Sequence, residues 1–361
     1  MKKLIKLDID ESYKINKKIV NFLNPEYVCV LLEDFFNANS LKNIKKYTLL
    51  NNDHDTFSTI SGEVVGTVKI YSKNKLTKAL FVKNDFKENE EKIKVEKINY
   101  KTQFLELFKN TKYLKIFSKP FKNIVINSIH DEPLVKTQTH ILKTESNNII
   151  ETINNLSSLF NVSKNIIAIK NTENENINEY LSKTGSYQNL SVVTLDDLYL
   201  ISREEYLLPK LNLEKKDTII LTPSDIMEIR HFLKYNHFKS DKYITVVNTI
   251  NKEIKMLKVK KNCLACEVIN KLKVLSDNCM YIKNGIMAGR EININKEIIS
   301  EDFEALFIAE NKKIISKDCI NCGKCYEVCP SKKCINCNLC YYVCPSNLKK
   351  KGAIKWYLRT K

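Results

Sequence analysis

Glycine is scarce in this 361-residue chain: there are seven, alongside seven prolines, five histidines and a single tryptophan. Long apolar runs are lacking as well, and no stretch approaches the ~20 residues that span a bilayer, so integral membrane insertion is not expected. The first residues, MKKLIKLDIDESYK, carry no apolar core or small-residue cleavage site, which counts against a secretory signal. A soluble cytoplasmic protein is expected, with peripheral attachment at the inner face of the cell membrane left open. The histidines (His54, His130, His140, His231 and His237) are scattered and form no HExxH or similar ligand pair, so surface or packing roles are their default. No RNP, helix-turn-helix or finger pattern accompanies the formal charge of +17. The lysines read as dispersed and as part of a Lys, Asn and Ile-rich bias, which argues against specific nucleic-acid binding. Such charge can still steer a redox partner or a membrane-bound complex.

Cysteine is the residue that is present in excess. A chain of this length can build two or three cores without covalent staples, so its twelve cysteines need another use. Eight of them lie in CINCGKCYEVCPSKKCINCNLCYYVCPS, from Cys319 to Ser346. This is two copies of C-x2-C-x2-C-x3-C-P. Three thiolates at two-residue spacing wrap one iron-sulfur cube, and the fourth cysteine of such a run reaches the other. The expected ligands are Cys319, Cys322, Cys325 and Cys344 for one [4Fe-4S] cluster, and Cys329, Cys334, Cys337 and Cys340 for the second. A zinc ribbon is the alternative, but it would leave surplus thiols and has no use for the Cys-Pro ends. The four-residue link PSKK between the copies is shorter than usual in two-cluster ferredoxins. Cys263 and Cys266 form CLAC at a helix start, and together with Cys29 and Cys279 they read as core residues.

Period and turn signals divide the rest. YVCVLLED, TISGEVVGTVKIY and KALFVKND alternate like strands, giving a β module over 1–95. Over 96–238 the rhythm becomes strand then helix: NIVINSI, TESNNIIETINNLSSLF, NIIAIKN, NINEYLSKTG, LSVVTLDD and DTIILTPSDIMEIRHFLKY. That alternation argues for a parallel α/β sheet, with Ser224 or Asp225 as the last helix's N-cap. YITVVNTINKEIKMLKV reads as a hairpin, followed by the helix LACEVINKLKV and by CMYIKNGIMAGREI; these make an α+β module over 239–312. The cysteine domain is 313–361.

These segments, in this order, resemble the C subunit of the Rnf ion-translocating electron-transport complex and its relatives. STISGEVVGT is similar to that family's barrel-sandwich segment. NIVINSIHDEPLVKTQTHIL is similar to the strand and Glu-Pro segment of its FMN and NADH domain, and YITVVNTINKEIKMLKV with NGIMAGREI to its β-grasp module. CINCNLCYYVCPS is close to its second cluster motif. The resemblance implies a multidomain α/β protein: a barrel-sandwich-like β module, a Rossmann-like domain, a β-grasp (SLBB-type) module and a two-cluster ferredoxin-like domain. It also implies FMN and NADH, with Asn127 and Glu132 as the residues matching the flavin segment and His130 standing where an acid is usual. The family's phosphate loop is Gly-rich because backbone amides must approach phosphate closely. Here that stretch, Gln103 to Lys122, contains no glycine, which counts against both nucleotides.

Three functions follow as expectations. The first is an electron-transfer protein relaying single electrons through two [4Fe-4S] clusters between redox partner proteins, with Tyr326, Tyr341, Tyr342 and Trp356 shielding the cysteines from water. The second is an NADH- and FMN-dependent oxidoreductase subunit of an Rnf, cobalamin-reductase or proline-reductase type of system. The third is a structural or regulatory protein in which metal only holds a small fold.

Overall fold

The computed structural model describes residues 4–10, 12–32, 41–50, 56–72, 75–93, 98–185, 187, 189–274, 278–311, 317–329 and 334–346. His54, Pro330 and Trp356 lie outside them. Three sheets organise the described residues.

The chain opens with β1 (Lys14–Phe22), β2 (Tyr27–Leu31), β3 (Asn43–Ile44), β4 (Gly62–Ser72) and β5 (Lys75–Asn84). The last four form an antiparallel sheet in the order β2-β5-β4-β3. β1 leaves that group and pairs in parallel with a strand more than two hundred residues later, Lys14 opposite Glu253.

Two short helices, α1 (Lys101–Leu107) and α2 (Lys112–Phe117), precede β6 (Asn123–Asn127), α3 (Thr137–Thr144), α4 (Ser146–Phe160), β7 (Lys164–Lys170), α5 (Asn174–Thr184), β8 (Leu190–Leu195), α6 (Glu204–Lys210), β9 (Thr218–Leu221) and α7 (Pro223–Tyr235). The four strands are all parallel, ordered β8-β7-β6-β9, so the winding reverses between β6 and β9. Side-chain alternation along β6 sends Ile124 and Ile126 to one face, with α1 to α5 and α7, and Val125 to the other. The α7 N-cap is Thr222, two residues before the expected Ser224 and three before Asp225. Its hydroxyl accepts from Asp225 N–H at 3.1 Å, while the Asp225 carboxylate accepts from Thr222 N–H at 3.0 Å. This reciprocal box uses Asp225 as the third helical residue.

β10 (Asp241–Asn248) and β11 (Glu253–Lys260) form the expected hairpin. They are followed by α8 (Ala265–Leu272), β12 (Cys279–Lys283), β13 (Arg290–Glu291) and β14 (Ala305–Glu310), in a six-stranded mixed sheet ordered β1-β11-β10-β14-β12-β13. α8 covers one face with Val268 and Ile269, in a core shared with Val28, Val30, Leu80 and Val82 of the four-stranded sheet. The opposite face contributes Val247, Ile282 and Phe307 to a core shared with the parallel sheet. Two short helices, α9 (Lys324–Glu327) and α10 (Leu339–Val343), end the described chain.

A glycine-poor chain must find its left-handed positions elsewhere. Among the described residues asparagine takes eight of the fifteen non-glycine ones: Asn161 and Asn236 end α4 and α7 at φ of 54° and 56°, and Asn212, Asn262, Asn284, Asn321, Asn336 and Asn338 are also left-handed. Its short polar side chain tolerates this region best after glycine.

Candidate metal centre and its seam with the α/β domain

The two cysteine motifs adopt one backbone. In the first, Asn321 and Gly323 flank Cys322 at φ of 51° and 71°; in the second, Asn336 and Asn338 flank Cys337 at 53° and 57°. Two left-handed residues around the middle cysteine turn the chain back on itself and deliver it into a short helix. Tyr326 N–H then donates to Gly323 C=O at 2.9 Å, and Tyr341 N–H to Asn338 C=O at 3.0 Å. The closing cysteines repeat the match: Cys329 N–H reaches Tyr326 C=O and Cys344 N–H reaches Tyr341 C=O. In the first copy Asn321 N–H also points at Cys319 Sγ, 3.4 Å away, the kind of contact that favours a thiolate and tunes a cluster's potential. Among the described residues no three His, Cys, Asp or Glu side chains gather around one point as a single-ion site requires.

The copies differ in environment. Cys319, Cys322 and Cys325 are exposed, as are Ile320 (66 %) and Tyr326 (80 %); the expectation that Tyr326 shields its cysteines does not hold. The second copy is packed against the body, with Cys337, Leu339, Tyr341 and Tyr342 buried. Leu339 and Tyr342 share a core with Leu7, Tyr199, Leu200, Ile286 and Met287. Tyr199 Oη donates to Cys337 C=O at 2.8 Å, Asn338 Nδ2 donates to Met287 C=O at 2.6 Å, and Asp8 N–H donates to Tyr342 Oη at 2.9 Å. Sequence reading missed Tyr199, Met287 and Asp8. The available signal was NGIMAG, which spends two of only seven glycines within five residues.

The same loop holds Glu132. Its carboxylate accepts from Met287 N–H at 3.0 Å and Ala288 N–H at 2.6 Å. Removal from water pushes its pKa up to about 7 despite these donors. Met287 is thus the link between Glu132 and the second cysteine motif, with N–H to one and C=O to the other. Asn127 is held too: its Nδ2 donates to Ser202 C=O at 2.9 Å and its Oδ1 accepts from Ile129 N–H at 3.1 Å. Ser202 N–H in turn donates to Asp131 at 3.1 Å. His130 lies with Nε2 3.6 Å from Glu304 Oε2, and desolvation holds its pKa down at about 3. The structure therefore brings both flavin-segment residues to the end of β6, each with its polar atoms engaged by protein groups.

Of the remaining residues, Cys29 and Cys263 are buried, Cys266 and Cys279 half-buried, and desolvation pushes the Cys29 and Cys263 thiols up, as core packing implies. His231 and His237 pack together with ring centroids 5.0 Å apart, and His237 stacks on Tyr47. His140 sits edge-on to Tyr243.

In an open α/β sheet a nucleotide binds at the carboxyl ends of the strands where the winding reverses, here the ends of β6 and β9. That crevice is filled from within. Ser224 N–H at the start of α7 donates to Gln138 Oε1 at 3.0 Å, and Gln138 Nε2 reaches both oxygens of Glu304 at 3.2 and 3.3 Å. A remaining cavity beside Ser224, Glu228 and Glu304 measures about 30 Å³, far below the several hundred Å³ of a typical cofactor pocket. The glycine-free stretch before β6 is helical, with Phe104, Phe108, Tyr113 and Phe117 fully buried. Its aromatic rings fill the core against Phe160 and Phe232.

Residues 108–223 match the sequence model of a family described as the Nuo51 FMN-binding domain. This stretch contains the whole parallel sheet. No curated protein matches the chain. Among solved structures, an NAD+-reducing [NiFe]-hydrogenase in its H2-reduced state aligns at TM-score 0.43 and 9 % identity, covering 58 % of this chain and 43 % of the other. The air-oxidized state aligns at 0.41 and 8 %, covering 52 % and 40 %. The chain thus spans less than half of those longer proteins. Among the described residues no helix is long and apolar enough to cross a membrane.

Proposed function

We propose that this chain is an electron-transfer subunit whose chemistry resides in two [4Fe-4S] clusters, built on an Rnf-C-like body that has lost its nucleotide site. The observation that carries the reading is the repeated loop: two C-x2-C-x2-C-x3-C runs with left-handed residues on both sides of each middle cysteine. Cys319, Cys322, Cys325 and Cys344 would hold one cluster, and Cys334, Cys337, Cys340 and Cys329 the other. When bound, such clusters supply reversible one-electron sites whose potentials follow charge, sulfur hydrogen bonds and exposure. The protein's part is positional. Tyr199, Asn338 and Tyr342 fix the second motif against the body, while Leu339 and Tyr341 exclude water around it. The first motif stays open to solvent, so the two sites differ in environment although their loops are alike. Redox partner proteins, in a reductase or membrane-associated complex, would give and take the electrons.

The match of residues 108–223 to an FMN-binding domain favours a second reading, NADH oxidation through FMN with the clusters as exit. The filled crevice between β6 and β9 argues for the first. An anaerobic absorbance titration separates them: NADH is added, then dithionite. The first reading expects a broad cluster band bleached by dithionite alone, with no flavin extractable. Bleaching by NADH with stoichiometric flavin would establish the second, and zinc in place of iron and sulfide would overturn both.

A further inference from the structure

The two cysteine motifs differ at one left-handed position. The residue after the middle cysteine is Gly323 in the first copy and Asn338 in the second, at φ of 71° and 57°. Glycine adopts this region at least cost, so what Asn338 adds is a side chain. Its Nδ2 donates to Met287 C=O at 2.6 Å, and the N–H of that same peptide group, on Ala288, donates to Glu132 Oε1, also at 2.6 Å. One peptide group is thus held at both ends, and hydrogen bonds in such a chain polarise one another. The other carboxylate oxygen, Oε2, accepts from Met287 N–H. Ala288 is exposed whereas Met287 is buried, so the carboxylate lies between water and the seam with the second motif. Tyr199 supports the same seam. Its hydroxyl holds Cys337 C=O, and burial, followed by negative charge on Glu132 and Cys337, pushes its phenol up, which keeps it a donor.

We propose that Glu132 is the proton acceptor coupled to electron uptake at the second cysteine motif, through the Met287–Ala288 peptide and Asn338. The inference rests on the electron-transfer reading above and adds a residue to it. One electron from a redox partner protein enters the second site, one proton from water joins the Glu132 carboxylate, and both leave on oxidation; no other covalent bond changes. Negative charge gained behind Asn338 makes a second negative charge at Glu132 costlier, and the effect is reciprocal. Removal from water brings the Glu132 pKa up to about 7, where such a proton can be exchanged near neutral pH. Its neighbours differ. Desolvation holds His130 down at about 3 and therefore neutral, and Asp131 accepts from Ser202 N–H and lies 3.6 Å from Arg203. Lys170 pairs with Asp197 at 2.5 Å, and the loop 285–289 carries no titratable side chain. In the first motif Gly323 has no side chain with which to make such a link.

The test is a potentiometric titration of the anaerobically reconstituted full chain, followed by electron paramagnetic resonance from pH ~6 to ~9. Cys322→Ser and Cys337→Ser each leave one site, which assigns the signals. Where Glu132 is neutral in both redox states the potential of the second site is highest; where it is charged in both, the potential is lowest. Electron uptake should raise the proton affinity of Glu132 about tenfold, so the potential should fall by about 59 mV across that range, the equivalent for a one-electron couple. The first site should stay flat. Glu132→Gln should hold the second site flat at its acid-side value, Asn338→Gly should shrink the fall by about half or more, and Asp131→Asn should keep it. In the infrared difference spectrum of the parent, a carboxylic-acid C=O band should appear on reduction and be missing in Glu132→Gln. Unchanged iron content shows that the variants remain folded and loaded; should Glu132→Gln fail to load, Asn338→Gly and the parent's infrared band decide. A flat second site in the parent, a full fall in Glu132→Gln or Asn338→Gly, or loss of the fall in Asp131→Asn would overturn the proposal and leave the electron-transfer reading standing. A chain with no reducible cluster would overturn both.

Discussion

A β-carbon on Gly285 would lie 2.0 Å from Oε2 of Glu132. The carboxylate occupies the space a side chain at 285 would need, and Gly285 has φ of +144°, which L residues rarely adopt. The loop 285–289 is therefore shaped around an acid from the segment after β6, and it presents Met287 to the second cysteine motif.

Gly285→Ala is expected to lose about 2–4 kcal/mol of stability, from steric overlap added to backbone strain. Denaturant unfolding measures this. A smaller loss in a Glu132→Ala background would locate the overlap at that carboxylate, and equal losses in both backgrounds would leave backbone strain as the whole cause.

Glu132 should make stability fall with pH. Its folded pKa of about 7 lies above its ordinary 4.5, so between these values the folded state binds more protons than the unfolded one. The contribution is fully present below about pH 4.5 and is lost as pH rises through 7. Comparison with Glu132→Gln isolates it from neighbours such as His130 and Asp131, which both proteins share. The parent should lose ground to the variant between pH 4.5 and 7, and parallel stability curves would refute the assignment.

Glu228 and Lys261 form a buried pair at 3.0 Å, with Glu301 at 2.8 Å from the same ammonium. The pair ties α7 to the end of β11. Glu228→Ala should cost about 1–3 kcal/mol, because it strips one of two carboxylates from a buried ammonium and leaves Glu301 as the other. Glu228→Met combined with Lys261→Met should recover part of that loss, as read by thermal or denaturant unfolding.

The two motifs should respond differently to a change at the seam. Cys322→Ser and Cys337→Ser are each expected to lower bound iron by about half, one cluster at a time. Tyr199→Phe removes the hydrogen bond to Cys337 C=O, worth about 1 kcal/mol. It should hasten chelator-driven loss of the second cluster and leave the first unaffected. Two bleaching phases followed by visible absorbance would report this, and equal acceleration of both would deny Tyr199 its positioning role.

Sequence by itself determined the local elements and the cysteine spacing. Periodicity and turn chemistry act between near neighbours, so β6, α4, β7, α5 and the hairpin β10–β11 were legible, as was the doubled cysteine spacing, whereas its left-handed Asn and Gly positions were seen only in the structure. Only the tertiary structure decided which cysteine motif packs against the body and which is open, since both have nearly the same residues. It also decided that β1 joins the six-stranded sheet, that Gln138 and Glu304 fill the crevice between β6 and β9, and that Met287 joins Glu132 to Asn338. These relationships depend on side chains meeting across long stretches of chain, where loop closure and the burial of shared apolar faces set the outcome, and no short-range pattern records them.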